Sequence, residues 1–154
     1  MKRLTRMIAG AVLALVVVNA ARADDLLMVR MEKPFPEAMT LLQSAISSRG
    51  YTITRLQQVN ENLERRDFKS DMYRVVYFGK LEEIRKVSAQ QPELMPFLPL
   101  NITIFAEGDQ AILVSSRPKT LHGFFPNPAL KAVLDRWEGD IVAIMDELHE
   151  DSAH

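Results

Sequence analysis

The sequence predicts an α+β domain of two layers, a mainly antiparallel sheet with helices on one face, in the order β-α-β-β-α-β-β-α. Three observations lead there. Apolar residues recur at helical spacing in three separate stretches. Short runs rich in β-branched and aromatic residues lie between those stretches. Strand pairs joined by turns favour antiparallel neighbours, and helices gathered on one face of them make two layers.

Leu26 to Lys33 is a short apolar stretch expected to form the first strand. Pro34-Phe35-Pro36 ends it and opens a helix, because proline fits the first helical turn, where its missing N–H is not needed. Ala38, Leu41, Leu42, Ala45 and Ile46 make one apolar helical face. Arg49 suits the last turn, and Gly50 supplies a left-handed stop. Tyr51 to Val59 reads as a second strand with imperfect alternation. Asn60 to Lys69 is polar, with only Leu63 and Phe68 to dock it, and is expected as a short surface helix or loop. Met72 to Phe78 is the third strand and Gly79 its end. Leu81, Ile84 and Ser88 form a narrow stripe over Lys80 to Gln91, closed by Pro92.

Leu100 to Ala106 alternates cleanly, with Leu100, Ile102, Ile104 and Ala106 on one side. Gly108-Asp109 suits a two-residue hairpin turn with glycine first. Pairing Glu107 with Gln110 then sets Ile104 against Leu113, Ile102 against Ser115 and Leu100 against Arg117. The strongest helix is the last, where Leu130, Val133, Leu134, Trp137, Ile141, Ile144, Met145 and Leu148 keep one stripe. Asn127 is its natural cap and Pro128 its first residue, while Gly139 costs about 1 kcal/mol relative to alanine.

Met1 to Ala23 reads as a secretory signal rather than part of the fold. Lys2, Arg3 and Arg6 give a positive start, Met7 to Val18 an apolar run, and Ala21-Arg22-Ala23 a small-x-small cleavage site. A membrane-spanning helix needs about 20 apolar residues, and the uncharged stretch between Arg6 and Arg22 falls short of that. Residues 24–154 are then a single domain in the periplasm or outside the cell. Without residues 1–23 the chain carries 15 basic against 20 acidic residues, a net charge of −5. That balance disfavours nucleic acid, whose phosphates need clustered Lys and Arg. With no cysteine, disulfides, thiolate metal sites and cysteine nucleophiles are excluded, and the core must hold the fold unaided.

The stretch Tyr73-Arg74-Val75-Val76-Tyr77-Phe78, the helix after it, Pro92-Glu93-Leu94-Met95-Pro96-Phe97-Leu98-Pro99-Leu100, the strand Asn101 to Phe105 and the acidic turn Glu107-Gly108-Asp109 resemble the bacterial family called domain of unknown function 302. The resemblance implies a compact α+β domain able to dimerise. It implies no reaction. Members commonly carry cysteines where Gly79 and Leu100 stand here, so thiol chemistry does not carry over.

Candidate chemistry is sparse. The only histidines are His122, His149 and His154, and Asp146, His149, Glu150 and Asp151 at the C-terminus read as a solvated helix end rather than a metal site. Ser115-Ser116 lacks a glycine-flanked elbow and a paired base. No phosphate-cradling glycine loop occurs, and no cofactor is indicated. One constellation stands out. The predicted hairpin puts Leu100 and Arg117 at one end of the sheet, so two flanking loops leave it together. One holds Leu94, Met95, Phe97 and Leu98; the other holds Leu121, His122, Phe124 and Phe125. Either they cap the open end of the core, or they form an apolar pocket with Arg117, Lys119 and His122 at its rim. The leading expectation is a soluble periplasmic binding or interaction domain without catalysis, taking a small apolar ligand or a protein partner through Leu94, Met95, Phe97, Arg117, His122, Phe124 and Phe125. The alternative is a small enzyme or cofactor carrier using His122 and Arg117. A third reading makes the same loops a homodimer interface.

Overall fold

Alternating strands and amphipathic helices assemble one five-stranded sheet with its helices on one side. The structure, a computed structural model, describes residues 25–150, so the signal-peptide reading of residues 1–23 lies outside the described residues. The elements are β1 (Leu26–Met31), α1 (Phe35–Ser48), β2 (Thr52–Gln58), α2 (Val59–Glu64), β3 (Tyr73–Gly79), α3 (Leu81–Gln90), β4 (Leu100–Glu107), β5 (Gln110–Ser116) and α4 (Pro128–Glu150). Short 3-10 helices at Pro92–Phe97 and Pro118–Gly123 precede β4 and follow β5. The sheet order is β1-β5-β4-β3-β2, and every neighbouring pair is antiparallel. The expected element order stands, with α2 as the short surface helix.

One face of each strand feeds the core. Val76 and Phe78 of β3, Leu100, Ile102 and Ile104 of β4, and Leu113 of β5 are buried against α1 and α4. Phe35, Ala38, Leu42, Ala45 and Ile46 bring α1 onto them. The whole predicted stripe of α4, from Leu130 to Leu148, is buried. Asn127 caps that helix: its Oδ1 accepts a hydrogen bond from Ala129 N at 2.8 Å, filling one of the donors a helix N-terminus leaves unpaired. Arg49 ties the two helices, its Nη2 donating to Ala143 O at 2.9 Å and its Nη1 pairing with Glu147.

The β4–β5 hairpin turns at Gly108, whose φ of +61° suits glycine in the first central position. Glu107 pairs with Gln110 and Ile104 with Leu113, the register expected. The ladder then stops at Thr103–Val114, and the expected facing of Leu100 with Arg117 does not form. Beyond that point β4 stays with β3 (Asn101 opposite Tyr77), while β5 stays with β1 (Ser116 opposite Leu26). The physical reason is local. Pro99 and Pro118 flank the two strand ends and cannot donate to a ladder, and Arg117 N donates instead to Asp25 O. The Ser115 hydroxyl crosses the gap, donating to Asn101 O at 3.0 Å.

Two expectations are corrected. The stripe on α3 is rotated: Leu81 and Ser88 are exposed, and Val87 is the buried residue. Ile84 sets the rotation by lying over Gly79, where a Cβ would come within 2.5 Å of its Cδ1. Phe68 does not dock either; it is exposed beyond the short helix α2, and Asn60 anchors that segment by accepting from Arg74.

Candidate functional site

Where β4 and β5 part, a cleft of about 410 Å³ opens at the end of the sheet. Its floor is helix α4, which supplies Trp137, Leu134 and Ile141 through the gap between the strands. Pro96, Phe97, Leu98 and Pro99 form one wall, and Arg117, Pro118, Thr120 and Leu121 the other. Tyr77 and Asn101 border it from the open side of the sheet, with Ser115 and Ser116 between. The lining is mostly apolar with a few placed polar groups, the composition of small-molecule sites.

The loops meet as the hairpin requires. The Phe97 and Phe125 rings stack edge to face, with centroids 5.9 Å apart and planes at 85°. Such a contact adds about 0.5–1.5 kcal/mol beyond area burial and fixes both walls. Phe97 is partly exposed and lines the cleft, whereas Phe125 packs half-buried against the core behind it.

Arg117 belongs to an ion cluster. Its Nε donates to Glu138 Oε1 at 2.7 Å, and Lys119 Nζ lies 3.6 Å from the same oxygen. Glu138 is itself buried on α4, and its Oε2 also accepts from Lys119 N at 3.4 Å. Removing one partner of such a pair strands the other charge away from water, so the cluster pins the 3-10 turn after β5 onto α4. The guanidinium thus lines the cleft while held by the fold.

The other expected residues are placed elsewhere. Leu94 is fully buried in the core, and Met95 is half-buried against it. Phe124 is 77% exposed and outside the cleft lining. His122 also lies outside it: its Nε2 is 3.0 Å from Asp135 Oδ1, an ion-pair distance without hydrogen-bond alignment. His122 and Arg117 therefore do not share a site. Sequence reasoning read Trp137, Leu134 and Ile141 as core alone, and nothing in their spacing separates a core side chain from a cleft floor.

On the same helix Asp140 accepts from the Tyr51 hydroxyl, and Lys80 Nζ stands 3.4 Å from Asp140 and 4.4 Å above the Tyr51 ring. Burial, reinforced by the hydrogen bond to Asp140 and its charge, pushes the Tyr51 hydroxyl above the usual tyrosine pKa range. Among the described residues, no group of three or more His, Asp or Glu is arranged to hold a metal, and no helix is long and apolar enough to cross a membrane.

Comparison with known proteins places residues 27–148 within the family described as "Domain of unknown function DUF302". No curated protein matches the chain. A crystal structure of an uncharacterized conserved DUF302 protein from Bacillus stearothermophilus is similar in fold, with a TM-score of 0.73 and 20% identity over 82% of this chain and 99% of that one.

Proposed function

The chain belongs to the DUF302 family, and from that premise we propose that it is a binding domain whose ligand seat is the cleft between β4 and β5. The observation that carries the reading is the early end of the β4–β5 ladder, which leaves a cleft between two loop walls over the buried Trp137, Leu134 and Ile141 of α4. The cleft volume falls within the range of about 300–1,000 Å³ typical of ligand sites. Its occupant is a small, largely apolar molecule; an apolar side chain offered by a protein partner would use the same walls. The Ser115 hydroxyl and the Arg117 edge orient whatever polar end the ligand carries. The proposed location is the periplasm or the cell exterior, supported by the signal-like residues 1–23.

Trp137 is the chain's only tryptophan and part of the cleft floor, so it reports on the site directly. Titration with the lipophilic dye 8-anilinonaphthalene-1-sulfonate should quench Trp137 emission with saturable energy transfer to the dye. Phe97→Ser removes one wall and should weaken that binding about tenfold, the ~1.4 kcal/mol expected of a partly exposed phenyl contact. Phe124→Ser, outside the cleft, should change nothing. Equal dye affinity in wild type and Phe97→Ser would refute this assignment.

A further inference from the structure

Where β4 and β5 part, backbone groups that a continuous ladder would have paired are left in the cleft wall. In an antiparallel sheet, successive residues turn their N–H and C=O to opposite neighbours. Ala106 turns to the β3 side, where its N–H donates to Met72 O, so by alternation Asn101 turns to the β5 side. Arg117 N donates to Asp25 O on the β1 side, so Ser116 turns to the β4 side. Asn101 and Ser116 would be the next hydrogen-bonded pair after Thr103–Val114, and that pair does not form. Both residues line the cleft.

The Ser115 hydroxyl decides which of these groups stay open. It donates to Asn101 O at 3.0 Å and is shared with Ser116 O at 3.2 Å. One hydroxyl thereby covers both carbonyl oxygens that the fork turns inward. The Ser116 N–H is left over: its ladder bond to Asn101 O does not form, and no other acceptor among the described residues engages it. Held by the sheet, this donor cannot turn away and gains from an acceptor that a ligand brings. Charge points the same way. Among the described residues lining the cleft, Arg117 alone is ionised at neutral pH. Glu138, which holds the Arg117 side chain, lies outside that lining, so the ion cluster turns a cation to the cleft. A fixed N–H beside a guanidinium, with the neighbouring carbonyls covered, suits an acceptor oxygen that carries negative charge.

Taking the cleft as the ligand seat proposed above, we infer that its occupant is a small apolar acid, whose carboxylate accepts from the Ser116 N–H beside Arg117 and whose apolar body lies over Trp137. Ser115 is a positioning residue. Its hydroxyl selects acids over amides by occupying the carbonyl oxygens that an amide N–H would need.

The test is calorimetric titration of the purified protein near neutral pH with three probes of one shape: 2-naphthoate, 2-naphthamide and 2-naphthylmethylamine. Wild type should bind the acid at least about tenfold more tightly than the amide, as a charged acceptor strengthens a hydrogen bond, and the amine should bind weakest. In a proton–nitrogen correlation spectrum the Ser116 N–H should move downfield on saturation with naphthoate. Ser115→Ala uncovers both carbonyls, so the preference for the acid over the amide should vanish or reverse. Ser116→Pro deletes the N–H without costing a ladder bond and should abolish the preference as well. Thermal melting identifies which variant folds as wild type does, and the preference is read in that one. A wild type that binds the three probes alike, or favours the amide or the amine, overturns the inference while the cleft stands as a seat, provided Phe97→Ser weakens every probe. An acid preference that persists in both variants, or a Ser116 N–H unmoved by naphthoate, overturns it too. Probes whose binding Phe97→Ser leaves unchanged would strike the cleft assignment itself, and this inference with it.

Discussion

Truncating Trp137 to alanine should destabilise the domain by about 3 kcal/mol. The indole is 1% exposed and packs on the central turn of α4 against the sheet. A buried aromatic hides about 150–250 Å², which at ~25 cal/mol per Å² is worth about 4–6 kcal/mol of transfer. Measured truncations of Phe or Trp to alanine fall at ~3–5 kcal/mol. Trp137 also floors an open cleft. Its loss deepens a space that solvent already reaches instead of leaving a sealed void, so the cavity penalty shrinks and the lower end of that range applies. Because the only tryptophan is then gone, urea unfolding must be followed by far-UV circular dichroism. The midpoint should fall with the slope unchanged, the mark of a stability loss in an intact two-state fold. Against a total of roughly 5–15 kcal/mol, the effect is large. A loss below about 1 kcal/mol would refute the argument that this side chain joins the helix layer to the sheet.

Two further outcomes follow from the same geometry and sequence. The raised Tyr51 hydroxyl favours the folded state fully below the unfolded tyrosine pKa of about 10, and that contribution is lost as pH climbs above it; alkaline unfolding curves of wild type and Tyr51→Phe should therefore diverge at high pH, and parallel curves would count against the buried Tyr51–Asp140 contact. Intact-mass measurement of the protein recovered from its host should show a chain beginning at Asp24, as the Ala21-Arg22-Ala23 site implies; a product starting at Met1 would end the secretory reading.

What could be read ahead of the structure was whatever a period imposes. The eight-residue stripe of α4 and the Ile104–Leu113 register both came directly from spacing, because a long stripe and a tight Gly-Asp turn leave little freedom. Short elements escaped. On α3 one residue decides the docked face, and Gly79 admits Ile84 at a distance no other residue would allow. Leu94 and Phe97 stand three apart in one proline-rich segment, yet one is core and the other lines the cleft; a 3-10 turn has too few residues to show a period. The cleft itself depends on where a ladder stops, set by prolines and by Arg117 turning to Glu138, a residue 21 positions away. Glu138 was missed because a carboxylate inside an apolar stripe reads as a solvent-side residue until its cationic partners are located.

The place of β1 in the sheet has a consequence for the order in which the molecule can form. Leu26–Met31 sits at an edge, and β5 is its sole neighbour. The strand made first therefore pairs with the strand made last. Joining them closes a loop that spans most of the domain, the costliest closure in the chain, and contacts of such long separation slow folding. The β4–β5 hairpin and the β2–β3 and β3–β4 pairs can assemble from nearer segments. As synthesis runs from the N-terminus, Leu26, Leu27, Met28 and Val29 spend that whole interval without a sheet to join. The arrival of Gln110–Ser116 is what ends the wait.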